Sequence, residues 1–393
     1  MVVAASAAAT VATSTAVFLN IGLKPLIDAL KGLQLIIHMM LISAFTFETK
    51  KTFFDTLLLI ANFEVLPADD LLIATFPVMD ENGGINPKFE DTGYEYSDAI
   101  LNMGQSFVII IFVIPILCLF FLVSKRYCCN EKMKKFFKRQ LKNTVFDRII
   151  MFIDASIIVI ATSAWVNIYQ VSRGAVPASL SFYISIGLLF LLTLSYTALL
   201  VYILRNFESV LDEESKTKKR IGAFYEGYSV KRAGKFALVP IYVSLGRRML
   251  IGLVVTYGEG NLLLQLSFVH FSSILMLAVL GLLRPLVSRS AHIIEFAGEM
   301  LILILLNHFL GMTDLLTDLN QRSIITWSCI VLITLSIILS FGMIIRTNII
   351  AIITRIRLIK LRNENKKKLE EKQARRNTID ELRRIQLESQ KKG

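Results

Sequence analysis

The strongest constraint on this chain is the recurrence of uncharged apolar runs about as long as a bilayer is thick. Met1–Leu23, Ala99–Ser124, Gly174–Leu204, Gly260–Leu283 and Ser323–Ile345 contain no Asp, Glu, Lys or Arg. A helix needs about 20 mostly apolar residues to cross a hydrocarbon core of about 30 Å. Four more stretches qualify with ionisable residues inside or beside them: Gly32–Phe47 with its flanks, Ile149–Ser172 around Asp154, Phe236–Gly258 around Arg247 and Arg248, and Ala291–Thr313 around Glu295 and Glu299. A composition of 54% hydrophobic and 19% charged residues over 393 positions excludes an ordinary soluble domain. The expected fold is all-α, a polytopic transmembrane helical bundle of about nine spans.

A net charge of +12 would point to nucleic acid in a soluble protein. Here the charge follows the membrane instead, and nucleic acid is excluded as a partner. With the N-terminus outside, nine spans leave only Lys50, Lys51, Lys88, Arg173 and Arg322 of the 43 Lys and Arg on the outer side. The positive-inside rule therefore predicts an N-out, C-in path. The expected organisation is two spans over 1–47, an acidic outer segment over 48–101, a seven-span bundle over 102–346 and a basic helical cytoplasmic tail over 347–393. Within Glu48–Asp98 eleven acids face three lysines, and the segment reads as a small lid over the bundle. The chain is expected in the plasma membrane or an endomembrane.

None of the four cysteines falls in an outer loop, so no extracellular disulfide framework is expected. Cys128 and Cys129 follow a span directly and are candidates for S-palmitoylation, with reduced thiols the alternative. Asp80-Glu81-Asn82-Gly83-Gly84 reads as a solvated turn, because Gly84 stands where a calcium loop needs an oxygen ligand. His38, His270, His292 and His308 have no metal-ligand spacing, and neither a metal nor a cofactor is expected. Walker, nucleophile-elbow, HExxH and dinucleotide motifs are absent, which argues against an enzyme.

The tail beyond Arg346 interleaves Ile349, Ile350, Ile353 and Ile356 with Arg355, Arg357, Lys360, Arg362, Lys366, Lys367 and Lys368. This pattern suits a helix at headgroup level. Two readings stand side by side: a site for anionic inner-leaflet phosphoinositide or a calmodulin-like partner, and a positive stop signal that fixes topology. Membrane lipids are partners in either case, and a homo-oligomer or larger membrane assembly is a further expectation.

Charge within hydrocarbon is costly and calls for a partner. Arg247 and Arg248 lie seven and eight residues after Pro240, and Glu299 lies eight after Ala291, so they are at comparable depth. Glu295 and Glu299 share one helix face. The expectation is an ion-pair cluster of Arg247, Arg248, Glu295 and Glu299, serving either helix packing alone or ion passage and gating. Asp154 is near a span end and reads as reaching headgroup water. Asn307 and His308, with Asp314 just beyond, form a candidate outer vestibule, with interhelical hydrogen bonds the alternative.

The order of several elements resembles the membrane region of transient receptor potential (TRP)-like chains, including polycystin-related and fungal TRP-like proteins and large protist surface proteins. These elements are Leu33–Phe47 followed by Ile60-Ala61-Asn62-Phe63-Glu64, Phe89-Glu90-Asp91-Thr92-Gly93-Tyr94, and Gly222-Ala223-Phe224-Tyr225-Glu226-Gly227. After them come Leu245-Gly246-Arg247-Arg248-Met249-Leu250, Leu283-Arg284-Pro285-Leu286 and the Ile294–Glu299 stretch. The resemblance implies a cation channel or channel-related subunit. The 311–322 loop is too short for a pore helix plus filter of the usual tetrameric kind. The alternatives are a structural subunit anchoring a larger assembly and a secondary transporter. A transporter would show interrupted helices near the midplane and internal repeats.

Overall fold

The computed structural model describes residues 23–42, 68–75, 85–128, 130–145, 149–212, 221–222, 224–225, 227–311 and 318–392. Their elements are α1 (Leu23–His38), continued by a 3-10 turn (Met39–Leu41), then α2 (Ala68–Thr75), α3 (Pro87–Asp91) and α4 (Ala99–Val108). A π-helical segment (Ile109–Val113) joins α4 to α5 (Ile114–Tyr127), and α6 (Glu131–Asn143), α7 (Ile149–Ser172), α8 (Leu180–Arg205) and α9 (Phe207–Leu211) follow. The remainder comprises α10 (Val230–Ala233), α11 (Val239–Tyr257), α12 (Leu262–Leu283), α13 (Arg289–Gly311) and α14 (Leu319–Lys392). No strand occurs among the described residues, only an isolated bridge between Tyr228 and Leu286.

Among the described residues, six helices are long and apolar enough to cross a membrane: Ala99–Tyr127, Ile149–Ser172, Leu180–Arg205, Val230–Tyr257, Leu262–Leu283 and Arg289–Gly311. The apolar stretch Ser323–Leu339 lies in α14 and corresponds to the last expected span. Large apolar side chains such as Tyr183, Phe190, Leu263, Phe271 and Leu282 point outward, as they do where a bundle meets lipid rather than water. The chain is thus an all-helical, multi-pass membrane protein. The expected first span lies outside the described residues.

The second expected span falls on α1 and the 3-10 turn after it. Its helix starts at Leu23, and Leu35, Ile36, Ile37, Met39, Leu41 and Ile42 are no more than 3% exposed. This element packs against α7, α11 and α14, so its apolar residues face protein instead of lipid. Within the expected outer segment, the stretch 85–98 packs into the bundle's core. Phe89 and Tyr94 are buried in the same core cluster as α1, and Tyr94 OH hydrogen-bonds His38 Nε2.

At the centre is α7, which packs against α1, α4, α8 and α11. Its buried face is rich in small residues, among them Ala155, Ser156, Ala161, Thr162, Ser163 and Ala164. Small residues let helix backbones approach closely in membranes, where apolar burial alone gives little preference for protein over lipid. The approach is closest where Gly252 of α11 meets Thr162. A Cβ at Gly252 would lie 2.8 Å from Thr162 Oγ1, 2.9 Å from its Cα and 3.0 Å from its N.

The first long crossing is interrupted. Gly104 adopts φ 42° and ψ −119° within α4, a conformation open to glycine, and the π segment and Pro115 follow. Ser106 donates to Ser156 across 3.5 Å, which puts the interruption at the depth of α7's first turns. Asp98 caps α4 through the Ile100 and Leu101 amides, and Ser181 accepts from the Ala99 amide.

Gly252→Ala is expected to lower stability by about 1–3 kcal/mol through overpacking. Adding Thr162→Ala should not restore it, because the Thr162 backbone remains in the way. Thermal unfolding of the detergent-solubilised protein reads this out, and an unchanged midpoint for the single variant would refute the close approach.

Candidate functional site

The long helices place six ionisable residues in one layer. Asp154 is the sixth residue of α7, Arg247 and Arg248 are the ninth and tenth of α11, and Glu299 is the eleventh of α13. At 1.5 Å per residue they lie about 7–15 Å in from their helix starts. All three starts share the end of the bundle that carries Arg205, Arg284 and Arg346, here called the basic end.

Adjacent residues on a helix diverge by about 100°, so the two arginines of α11 serve different neighbours. Arg247 reaches α13, where Nη1 and Nη2 donate to Glu299 Oε2 and Oε1 at 2.7 and 2.6 Å. This bidentate geometry is the strongest form of the guanidinium–carboxylate pair. Arg247 and Glu299 are 6% and 5% exposed. Glu295, one turn before Glu299, adds a second negative charge acting on Arg247. Arg248 turns to α7, donating to Asp154 Oδ1 at 2.6 Å and also to the Asp154 carbonyl. Lys31 of α1 pairs with the other carboxylate oxygen of Asp154.

Asp154 therefore binds two cations instead of reaching headgroup water. The cause is α1, whose burial against α7 brings Lys31 to it. Sequence reading missed Lys31 because that residue stands just before an apolar run and looks like a flanking anchor. Lys31, Arg247 and Arg248 pair with Asp154 and Glu299, and Glu295 acts on Arg247 from one turn away, so among the described residues three cations are matched by three anions. Balance of this kind is what a low-dielectric interior requires, since an isolated buried charge costs several kcal/mol.

At the basic end, the segment ahead of α11 is clasped to the turn between α12 and α13. Ser229 N donates to Pro285 O at 2.6 Å, Val287 N to Gly227 O at 2.9 Å, and Arg232 to the carbonyls of Arg284 and Leu286. Arg284 is the single non-glycine residue with positive φ among the described residues, at 42°. Phe224 stacks between Tyr196 and Tyr242, with centroids 5.9 and 5.8 Å away. The Gly222–Gly227 and Leu283–Leu286 elements, far apart in sequence, thus meet here, although Ala223 and Glu226 lie outside the described residues.

Towards the opposite end, Asn307 Oδ1 pairs with His270 Nε2 at 3.4 Å, and His308 Nε2 pairs with Ser328 Oγ at 3.0 Å. The two side chains tie α13 to α12 and to α14, respectively. Asp314 lies outside the described residues. Glu259 accepts from Asn86 at 2.7 Å and from Tyr169 at 3.1 Å, and Asn167 donates to Ser97 O at 2.8 Å, which holds the 85–98 stretch in place.

Of the tail residues, Arg357 and Lys360 are exposed on α14, and the side chains of Arg355, Arg362, Lys366, Lys367 and Lys368 lie outside the described set. Cys128 ends α5 with its thiol 3.8 Å from the Asn130 carbonyl, and Cys129 lies outside the described residues. No group of three His, Cys, Asp or Glu residues gathers as a metal site among the described residues. No known protein family, curated protein or solved structure matches this chain.

Removing one member of a buried pair strands the other. Asp154→Asn, which strands Lys31 and Arg248 together, should cost about 3–5 kcal/mol. Lys31→Met should cost clearly less, since Arg248 keeps its carboxylate. In a cycle of Arg247→Met and Glu299→Met, the double variant should be more stable than either single. Unfolding midpoints measured in one detergent decide the order, and equal losses for all variants would contradict the pairing.

Proposed function

We propose that this chain is a membrane transport protein of the channel kind, a TRP-like cation channel or channel-related subunit, in which the buried charge layer is the switching element. The observation that carries this reading is the neutral set of Lys31, Asp154, Arg247, Arg248, Glu295 and Glu299, which bridges four helices within an apolar bundle. Buried ion pairs contribute little net stability compared with apolar residues of equal volume. In a membrane, paired ionisable residues facing a bundle interior occur along conduction paths, relays and gates. An exchange of partners among these cations and anions would conserve the formal charge of the layer, which is what a switching element in hydrocarbon requires.

The path we propose has nine crossings, N-out and C-in, with the basic end in the cytoplasm and the α14 tail regulated by inner-leaflet phosphoinositide or a calmodulin-like partner. Arg346, which donates to Ser290 Oγ at 2.9 Å, marks where α14 leaves the bundle. From there the helix runs about 70 Å further.

A second reading, a secondary transporter, is favoured by the interrupted crossing of α4, the π segment and α5. Discontinuous helices beside a polar site are a transporter's signature. A structural subunit is the third reading, favoured if the layer serves packing alone.

Planar-bilayer reconstitution of the wild type beside Glu299→Gln and Arg247→Gln separates these readings. A cation conductance altered in both variants, and restored towards wild type by the exchange Arg247→Glu with Glu299→Arg, is the expected result. Silence of a folded wild-type protein would sink the channel reading; ion-driven uptake in liposomes would then mark a transporter. Orientation is checked separately by an impermeant maleimide on intact cells, which should label Arg173→Cys and spare Arg205→Cys.

A further inference from the structure

Helix α6 is amphipathic in a way that neither the charge layer nor the tail explains. Lys135, Lys138, Arg139 and Lys142 stand at i, i+3, i+4 and i+7, so all four share one face. They line one shallow open groove with Leu141 and Val145. All four are exposed, and none forms an ion pair among the described residues. The one acid of α6, Glu131, pairs instead with Lys134 at 3.5 Å.

The other face is apolar and only half covered. Phe137 contacts Phe120 and Phe121 of α5 with centroids 6.4 and 6.5 Å apart, so α6 folds back antiparallel along α5. Met133 and Phe136 remain 44% and 49% exposed. They are continuous with the outward apolar face of α5, where Ile116, Leu119 and Leu122 are more than half exposed. Side chains this apolar, joined to a lipid-facing helix, fit acyl chains rather than water. Asn130 caps the helix by accepting from the Lys132 amide at 2.9 Å, which favours the helical form that holds the four cations on one face.

We infer that α6 is a binding site for anionic phospholipid headgroups of the leaflet at the basic end. Met133 and Phe136 enter the acyl boundary, and the four cations engage headgroup phosphates. Two features choose a bilayer over free phosphate. Among the described residues the cations line an open, shallow face with no enclosing wall from another element, and the adjoining apolar face requires hydrocarbon. This site is separate from the tail of α14 and does not depend on whether the protein transports ions.

The test is lysine footprinting of the full chain in lipid nanodiscs, read by mass spectrometry. Labelling of Lys135, Lys138 and Lys142 should slow when part of a phosphatidylcholine disc is replaced by phosphatidylinositol bisphosphate, and should recover at high salt. Arg139→Gln should weaken this effect about fivefold in lipid concentration, and Met133→Ser with Phe136→Ser should weaken it at least as much. An unchanged unfolding midpoint shows that these surface variants are folded. Equal labelling in both discs overturns the site. Equal protection by soluble inositol trisphosphate in phosphatidylcholine discs overturns the bilayer as its source. Protection that survives Arg139→Gln and the apolar double substitution overturns the assignment to α6.

Discussion

A charge held within hydrocarbon must be matched by another charge at hydrogen-bonding distance, and this requirement organises the bundle. The adjacent arginines of α11 are committed to different helices, Arg247 to Glu299 of α13 and Arg248 to Asp154 of α7. Because Asp154 also takes Lys31, α1 is fixed in register against α7. Apolar contacts alone would leave that register open, since lipid solvates Leu and Ile as well as protein does. The ion pairs therefore specify which helix faces meet and at what height, and the apolar side chains fill the space so defined.

Close packing then makes the charge layer sensitive to position. The contact of Gly252 with Thr162 lies one turn beyond Arg248 along α11 and eight residues beyond Asp154 along α7. With Arg248 and Asp154 joined on one side and the glycine contact on the other, α7 and α11 have two anchoring points, one turn apart along α11 and just over two turns apart along α7. Sliding one helix past the other would break the charge pair and drive Gly252 into the Thr162 backbone together.

Much of the architecture is written in hydrophobic run lengths. Each of the six membrane-length helices coincides with an apolar run, because in a bilayer length and uncharged character are themselves the structural requirement. The positions of Arg247, Arg248, Glu295 and Glu299 within these runs give their depth, and equal depth is a condition for contact. Depth does not give azimuth, so nothing in the pattern says which arginine takes which acid. Lys31 and Asp154 were illegible for another reason. Each stands near the end of an apolar run, where a charge can reach water, and only burial of α1 inside the bundle denies them that escape. The interruption at Gly104 is likewise hidden, since an isolated glycine in an apolar run is compatible with an ordinary helix.

The basic end adds a link between the charge layer and the aqueous segments. The chain that enters α11 is clasped to the α12–α13 turn through Ser229, Val287 and Arg232, and the next two turns of α11 lead to Arg247 and Arg248. The same turn begins α13, which carries Glu295 and Glu299. Both partners of the Arg247–Glu299 pair are thus joined twice, directly within the bundle and indirectly through the clasp. A loop of this kind is rigid only while both connections hold. Glu295, one turn nearer the clasp on the same face, adds a second negative charge beside Arg247, but any turn of α11 that parted Arg247 from Glu299 would leave a buried carboxylate unpaired.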